Sequence, residues 1–139
     1  MARGGRRILV VLGLALGIPL LVCLGFAGYL FALPSIESYI HRVPFSSEQW
    51  KARPLDDGTR WPTRLRMADD LIARRILQGQ PRHKVVQLLG PPDDTPYFAD
   101  WNLVYRLGPE RGLFSIDSEW LVIRLDTSGA VSEYRLVTD

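Results

Sequence analysis

Side chains able to do chemistry are few in this chain of 139 residues. There are one cysteine, Cys23, two histidines, His41 and His83, and four carboxylate pairs: Asp56-Asp57, Asp69-Asp70, Asp93-Asp94, and Asp117 with Glu119. A nucleophilic site needs Ser or Cys beside a base. Cys23 lies in an apolar run, and neither histidine has a Ser-containing elbow motif near it. HExxH and paired CxxC are absent, and the two histidines are far apart in sequence. Adjacent acids on a helix point in different directions, which makes Asp69-Asp70 a solvated pair. Asp93-Asp94 follows Pro92 in a turn, where aspartate caps backbone N–H groups. Asp117 and Glu119 read first as a solvated loop; the alternative is an extended stretch in which they share one face and attract a cation. Gly108 and Gly112 frame a loop without the helix start that a phosphate cradle requires. The sequence therefore predicts no catalytic, cofactor-binding or metal-binding residue, and the reading is of a protein that is not an enzyme.

The other distinctive group is aromatic: Tyr97, Phe98, Trp101 and Tyr105, together with Trp120. A domain of about 75 residues has little area to bury and uses large rings to do it, so these rings serve first as core. The alternative is a partly exposed patch for a protein partner or lipid headgroups, with Tyr97, Phe98, Trp101 and Tyr105 as contact residues. Charge points away from nucleic acid. The formal net charge is +2, but Arg3, Arg6 and Arg7 stand at the N-terminus, leaving 14 basic and 15 acidic residues over 35–139. Phosphate binding needs a cationic face that this balance does not supply.

From Ile8 to Leu33 the chain runs for 26 residues without a charge. As a helix this stretch is roughly 39 Å long against a hydrocarbon core of about 30 Å, enough to span with tilt. Pro19 is tolerated in such a helix. The arginines before the run place residues 1–7 in the cytoplasm and residues 34–139 outside it. The run is longer than a signal h-region of about 7–15 residues, which favours a retained signal anchor at 8–33, a single-pass arrangement. Two alternatives are cleavage near Ala27, after Gly25-Phe26-Ala27, and lipidation of Cys23, which Val22 disfavours in place of a small residue. Gly13 and Gly17 have the spacing of a helix-dimer contact, a weak hint in so glycine-rich a span.

The elements beyond the span follow from periodicity. Pro34, Pro44, Pro54 and Pro62 punctuate residues 34–62, which read as a tether with short helical pieces. Within it, Ser46 and Gln49 have capping-box spacing, and Asp56-Asp57-Gly58 is turn chemistry. Tyr39 and Trp50 suit lipid headgroups or packing on the domain, with packing favoured for Trp50. Leu65, Ala68, Leu71, Ile72 and Ile76 fall on one face of a helix over Thr63–Leu77, ended by Gly79. Pro81 starts a second helix carrying Val85, Val86, Leu88 and Leu89 and stopping at Gly90. The period then changes to two: Trp101, Leu103, Tyr105 and Leu107 alternate with polar or smaller residues, and Gly108-Pro109 breaks the strand. Phe114 and Ile116 hint at a short extension. Trp120–Leu125 reads as a central strand, Asp126–Gly129 as a hairpin turn, and Val131–Val137 as the return. The expected fold class is α+β: a transmembrane helix, then, over 63–139, two short helices packed on one face of a three- or four-stranded antiparallel meander.

The stretch Gly79-Gln80-Pro81-Arg82-His83-Lys84-Val85-Val86-Gln87-Leu88-Leu89-Gly90-Pro91-Pro92-Asp93 resembles the SmpA/OmlA family, the BamE-like domains. There a glycine, a capped short helix ending Val-x-x-Leu-Leu-Gly, and Pro-Asp precede a strand with an aromatic. Leu121–Asp126 with Gly129 and Val131 is similar to that family's closing hairpin. The resemblance covers roughly 65–137 and implies a small envelope domain of ααβββ type that binds proteins and has no known catalysis, in the manner of an accessory component of outer-membrane β-barrel assembly. Two features depart from the family pattern: Pro81 stands where a capping Ser or Thr is usual, and the anchor is an apolar span in place of a lipidated cysteine.

Overall fold

A computed structural model describes residues 2–52, 58–112 and 115–139, with side chains of the first helix described from Ala15 onward except at 33–35. The expected turn at Asp56-Asp57, the strand extension at Phe114, and Gly13 of the glycine pair lie outside what is described. The chain divides into two compact units, residues 1–36 and 37–139.

The first unit is helical. Helix α1 runs Ala2–His41, so Pro34 does not end it as expected, and its last turn belongs to the second unit. It is one helix long and apolar enough by length and composition to cross a membrane, with a mean hydropathy of 2.2 over its most apolar described window and none of that window buried.

The second unit begins at Glu37, and residues 37–52 and 58–62 fold as part of it. The expected tether is therefore built into the domain. The apolar side chains between its prolines explain why: Val43, Phe45 and Trp61 pack against the core, and Trp50 lies fully inside it. Helix α2 (Ser47–Lys51) starts as its capping spacing predicts, Ser46 Oγ accepting from Gln49 N–H at 3.4 Å. Helices α3 (Thr63–Ala73) and α4 (Arg82–Leu89) follow, and α2 packs against both.

Helix α3 stops four residues before the expected Leu77. Arg75 takes a left-handed φ of 52°, Ile76 N–H bonds to Leu71 O and Arg75 N–H to Ile72 O. This is a Schellman end with arginine in the place glycine usually fills; it turns the chain so that Leu77 drops fully into the core. Pro81 is the N-cap of α4, not its first helical residue. It has no capping side chain, and Gly129 O of the hairpin turn accepts from Arg82 N–H at 3.1 Å instead.

Strands β1 (Leu103–Pro109), β2 (Ser118–Leu125) and β3 (Val131–Thr138) form a three-stranded antiparallel meander in sequence order. Gly108 does not break β1. It sits in a bulge after Arg106, at φ 152°, where a Cβ would stand 2.8 Å from Pro62 Cγ. Pairing sets Leu103 opposite Ile123, Tyr105 opposite Leu121, and Leu121 opposite Leu136. These side chains share the face that meets Trp50, Leu65, Met67, Ala68, Leu71, Val85 and Leu89 in one core. The architecture is α+β, with one sheet face on the helices as periodicity predicts.

Candidate functional site

The other sheet face follows from pleat parity. Positions one residue out of step with the core, namely Val104 on β1, Trp120, Val122 and Arg124 on β2, and Glu133, Arg135 and Val137 on β3, point the opposite way. Part of this face is covered by the loop before β1. Trp101, Val104, Trp120 and Val122 make a second, small cluster against which Phe98 and Val137 pack. Tyr97 and Phe98 rings stand 5.7 and 6.0 Å from that of Trp120. Trp101 lies between two arginines, Arg124 at 4.5 Å and Arg135 at 5.0 Å from its ring. Glu133 pairs with both arginines at 3.8 and 3.9 Å, and Asp100 with Arg124 at 3.6 Å. Such arginine–ring contacts contribute about 0.5–1 kcal/mol each at exposed sites.

The loop is held at a local cost. Phe98 has a φ of 56°, a region that costs a non-glycine residue roughly 1–2 kcal/mol. Thr95 Oγ1 accepts from Tyr97 N–H at 3.2 Å and Phe98 O from Trp101 N–H at 2.9 Å, closing the turn that lays Phe98 on Trp120. Trp120 is buried, and its indole Nε1 has no acceptor among the described residues. A buried donor left unbonded costs about 1–3 kcal/mol.

The four aromatic residues that the sequence grouped are divided between the two faces. Tyr97 is half exposed (51%) on the rim, Phe98 is half-buried beside it, and Trp101 is 9% exposed. Tyr105 is a correction: it is fully buried in the main core on the opposite face, its hydroxyl donating to Gly90 O at 3.0 Å. Burial pushes its phenol up to about 12. It cannot touch a partner. Arg124, Arg135 and Glu133 complete the surface and were missed, although strand alternation from Trp120 places Arg124 on its face.

The acids are mostly engaged by arginines and backbone. Glu119, 6% exposed, is clasped by Arg111, whose Nε donates at 3.1 and 2.9 Å and whose Nη2 donates to Oε1 as well. Arg111 Nη1 reaches Asp69 at 2.8 Å, and Asp69 also pairs with Arg42 at 3.4 Å. Burial alone would lower the Arg111 guanidinium, but hydrogen bonds and charge from Glu119 and Asp69 outweigh it and raise it. Asp117 is exposed, whereas Glu119 is buried and already paired with Arg111. Phe45 N–H, donating at 2.8 Å, holds the Asp70 carboxyl below its usual range, with help from Arg74. Asp93 accepts Arg106 N–H at 2.6 Å, covering the free edge of β1 and not its own turn. His41 stacks on Trp61 at 4.6 Å, and His83 is exposed. Among the described residues no three of His, Cys, Asp and Glu converge on a point that would hold a metal.

One recess of about 220 Å³ is lined by Lys51, Arg64, Leu89, Gly90, Pro91, Pro92, Asp93 and Asp94. Its two cations, Arg64 and Lys51, are both engaged by backbone carbonyls. Arg64, 4% exposed, donates to Trp50 O at 3.2 Å and to Arg106 O at 3.4 Å, lies 3.7 Å from Asp93, and sits 5.5 and 5.9 Å from the Trp50 and Tyr105 rings. Lys51 Nζ donates to Gln87 O at 2.9 Å.

Compared with known proteins, the chain matches no family model, no curated protein and no solved structure.

Proposed function

We propose that this protein is a non-catalytic binding module of the bacterial cell envelope, fixed in the cytoplasmic membrane by residues 8–33 with residues 34–139 outside the cytoplasm, and that it engages an envelope protein through the outer sheet face. The observation that carries the reading is the rim of that face: a half-exposed Tyr97 over Trp120, beside Trp101 gripped by Arg124 and Arg135. Tyrosine, tryptophan and arginine are the side chains in which binding energy concentrates at protein interfaces. Binding in place of catalysis is supported by the use made of the acids, since Glu119, Asp69, Asp70 and Asp93 are each spoken for by arginines or backbone N–H groups.

The order α3-α4-β1-β2-β3 agrees with the ααβββ plan of the BamE-like domains. With the motif at 79–93 it supports a place in envelope or outer-membrane protein assembly. A photoreactive side chain at Tyr97 in the full-length chain in native membranes tests the reading. A discrete protein adduct is expected from position 97 and none from position 127, in the β2–β3 turn. No adduct at 97, or the same adducts at both, refutes it. One feature favours a released form as the second reading: the compact unit begins at Glu37, so cleavage near Ala27 would free it whole as a periplasmic inhibitor or chaperone. N-terminal sequencing of the mature chain separates the two.

A further inference from the structure

The domain carries a second exposed group of side chains at the end where the chain enters it. Glu37, the first residue of the unit, pairs with Arg60 at 3.3 Å. Arg60 Nη2 in turn donates to Gly112 O at 3.1 Å, and the same oxygen accepts from Ser115 Oγ at 3.3 Å. This relay ties the loop containing Ser115 and Ile116 to the last turn of α1. Around it stand the most exposed large apolar side chains of the unit: Ile116 (84%), Tyr39 (77%) and Ile40 (68%). Ile40 lies three residues after Glu37, on the same side of the helix.

Resting on the membrane span proposed above, we infer that Ile40 and Ile116 form a lipid-contacting patch that enters the headgroup boundary of the bilayer in which α1 is fixed, with Tyr39 at the same depth on another side of the helix. Chain length commits the occupant. Leu33, the last residue of the apolar run, and Glu37 are four residues apart, at most about 14 Å even fully extended. Whatever angle the helix takes, the end of the domain bearing Glu37 stays at the membrane surface. Water-exposed isoleucine at such a place gains from burial in the acyl boundary, and tyrosine is enriched at headgroup depth.

The contact is apolar, not ionic. Arg60 is offset by Glu37, Arg42 by Asp69, and Arg111 by Glu119 and Asp69, while Glu110 and Asp117 add negative charge in the same loop. Arg66, which donates to His41 O at 3.1 Å, is the one further cation here, so among the described residues this end has no net positive charge with which to seek anionic lipid, and its membrane contact is indifferent to lipid charge. This separates it from a basic docking surface, whose attraction depends on anionic headgroups.

The experiment uses the full-length chain in phosphatidylcholine vesicles, with and without phosphatidylglycerol, and an environment-sensitive fluorophore on single cysteines. One label is on the native Cys23. In a Cys23→Ser background, Ile116→Cys and Thr127→Cys carry the others. Strand β2 separates the ends of the domain that hold the last two by about 23 Å. Ile116 is exposed, so its replacement leaves the core untouched. The expected result is quenching at 116 by nitroxide lipids labelled near the headgroup, several-fold stronger than at 127 and equal in both lipid mixtures. Quenching at 116 no stronger than at 127, while Cys23 is strongly quenched, overturns the patch and leaves the span standing. Shielding of 116 from water without lipid quenching also overturns it, because protein and not lipid then covers the loop. Cys23 lies about 15 Å along the helix from Leu33, so it is read with nitroxides placed deep in the acyl chains; an unquenched Cys23 in those vesicles overturns the span and the patch with it.

Discussion

Replacing Arg64 by methionine keeps an unbranched apolar stem and removes the guanidinium, whose carbon lies 5.5 and 5.9 Å from the Trp50 and Tyr105 rings. Two carbonyls, Trp50 O and Arg106 O, lose a charged donor at 3.2 and 3.4 Å. Hydrogen bonds to charged groups contribute about 1.5–3 kcal/mol each when one partner is deleted. Two effects pull the sum down: carbonyl oxygens tolerate a lost donor better than N–H groups do, and Asp93 is 31% exposed and keeps Arg106 N–H, so its charge is not stranded. The expected loss is about 3 kcal/mol, out of roughly 5–15 kcal/mol for a domain of this size. At about 4–8 °C per kcal/mol, that is a fall in Tm of about 12–24 °C. Arg64→Lys restores a charge but not the fork, and recovers about half. All four tryptophans, 50, 61, 101 and 120, lie in the second unit. Tryptophan emission of the full chain in detergent during urea or thermal unfolding therefore reports this domain alone. A loss below about 1 kcal/mol refutes the reasoning, because it means that water entering the adjoining recess replaces the guanidinium at no net cost.

Gly108→Ala forces a methyl 2.8 Å from Pro62 Cγ at a φ of 152°; an expected cost of about 2 kcal/mol lowers the urea midpoint with an unchanged slope. Arg75→Gly relieves a left-handed arginine at an exposed position and raises stability by up to about 1 kcal/mol, read as a higher Tm. The Asp70 carboxyl is held low in the folded state by Phe45 N–H. Its contribution is therefore complete above the unfolded value of about 3.9 and disappears as pH falls through the folded one. Stability of the wild type then falls below about pH 4, a component that Asp70→Asn removes at an expected cost of about 1 kcal/mol at neutral pH; acid titration of the two proteins side by side checks it.

Local rules carried much of the fold. Ser46 caps α2, Gly129 closes the β2–β3 turn at a φ of 80°, and strand alternation put Leu103, Tyr105 and Leu107 together on the helical face. That same parity already separated Tyr105 from a patch on the other side. Trp101 escapes it because β1 begins at Leu103, leaving Trp101 free to fold onto the outer face. What stayed hidden depended on distant partners. Arg75 has no local mark of a helix end; α3 stops there because Leu77 must be buried. Gly108 looked like a breaker, and only the approach of Pro62 shows that it is a bulge. Prolines 34–62 suggested a spacer, yet Val43, Phe45, Trp50 and Trp61 between them were apolar enough to signal packing. The arginine clasps at 64 and 111 join acids and carbonyls from segments far apart in the chain, and no spacing rule marks them.

The folding of residues 37–52 into the domain also limits where the protein can act. Twenty-nine loose residues, as a flexible leash over 34–62 would have provided, sweep a radius of about 30 Å. The actual chain has surrendered that freedom at the first residue of the unit. On the reading proposed above, in which α1 is fixed in a bilayer, a partner would then be met only near the membrane plane. A soluble ligand would have to come down to the surface, while a target in the same sheet of lipid would meet the domain by two-dimensional diffusion.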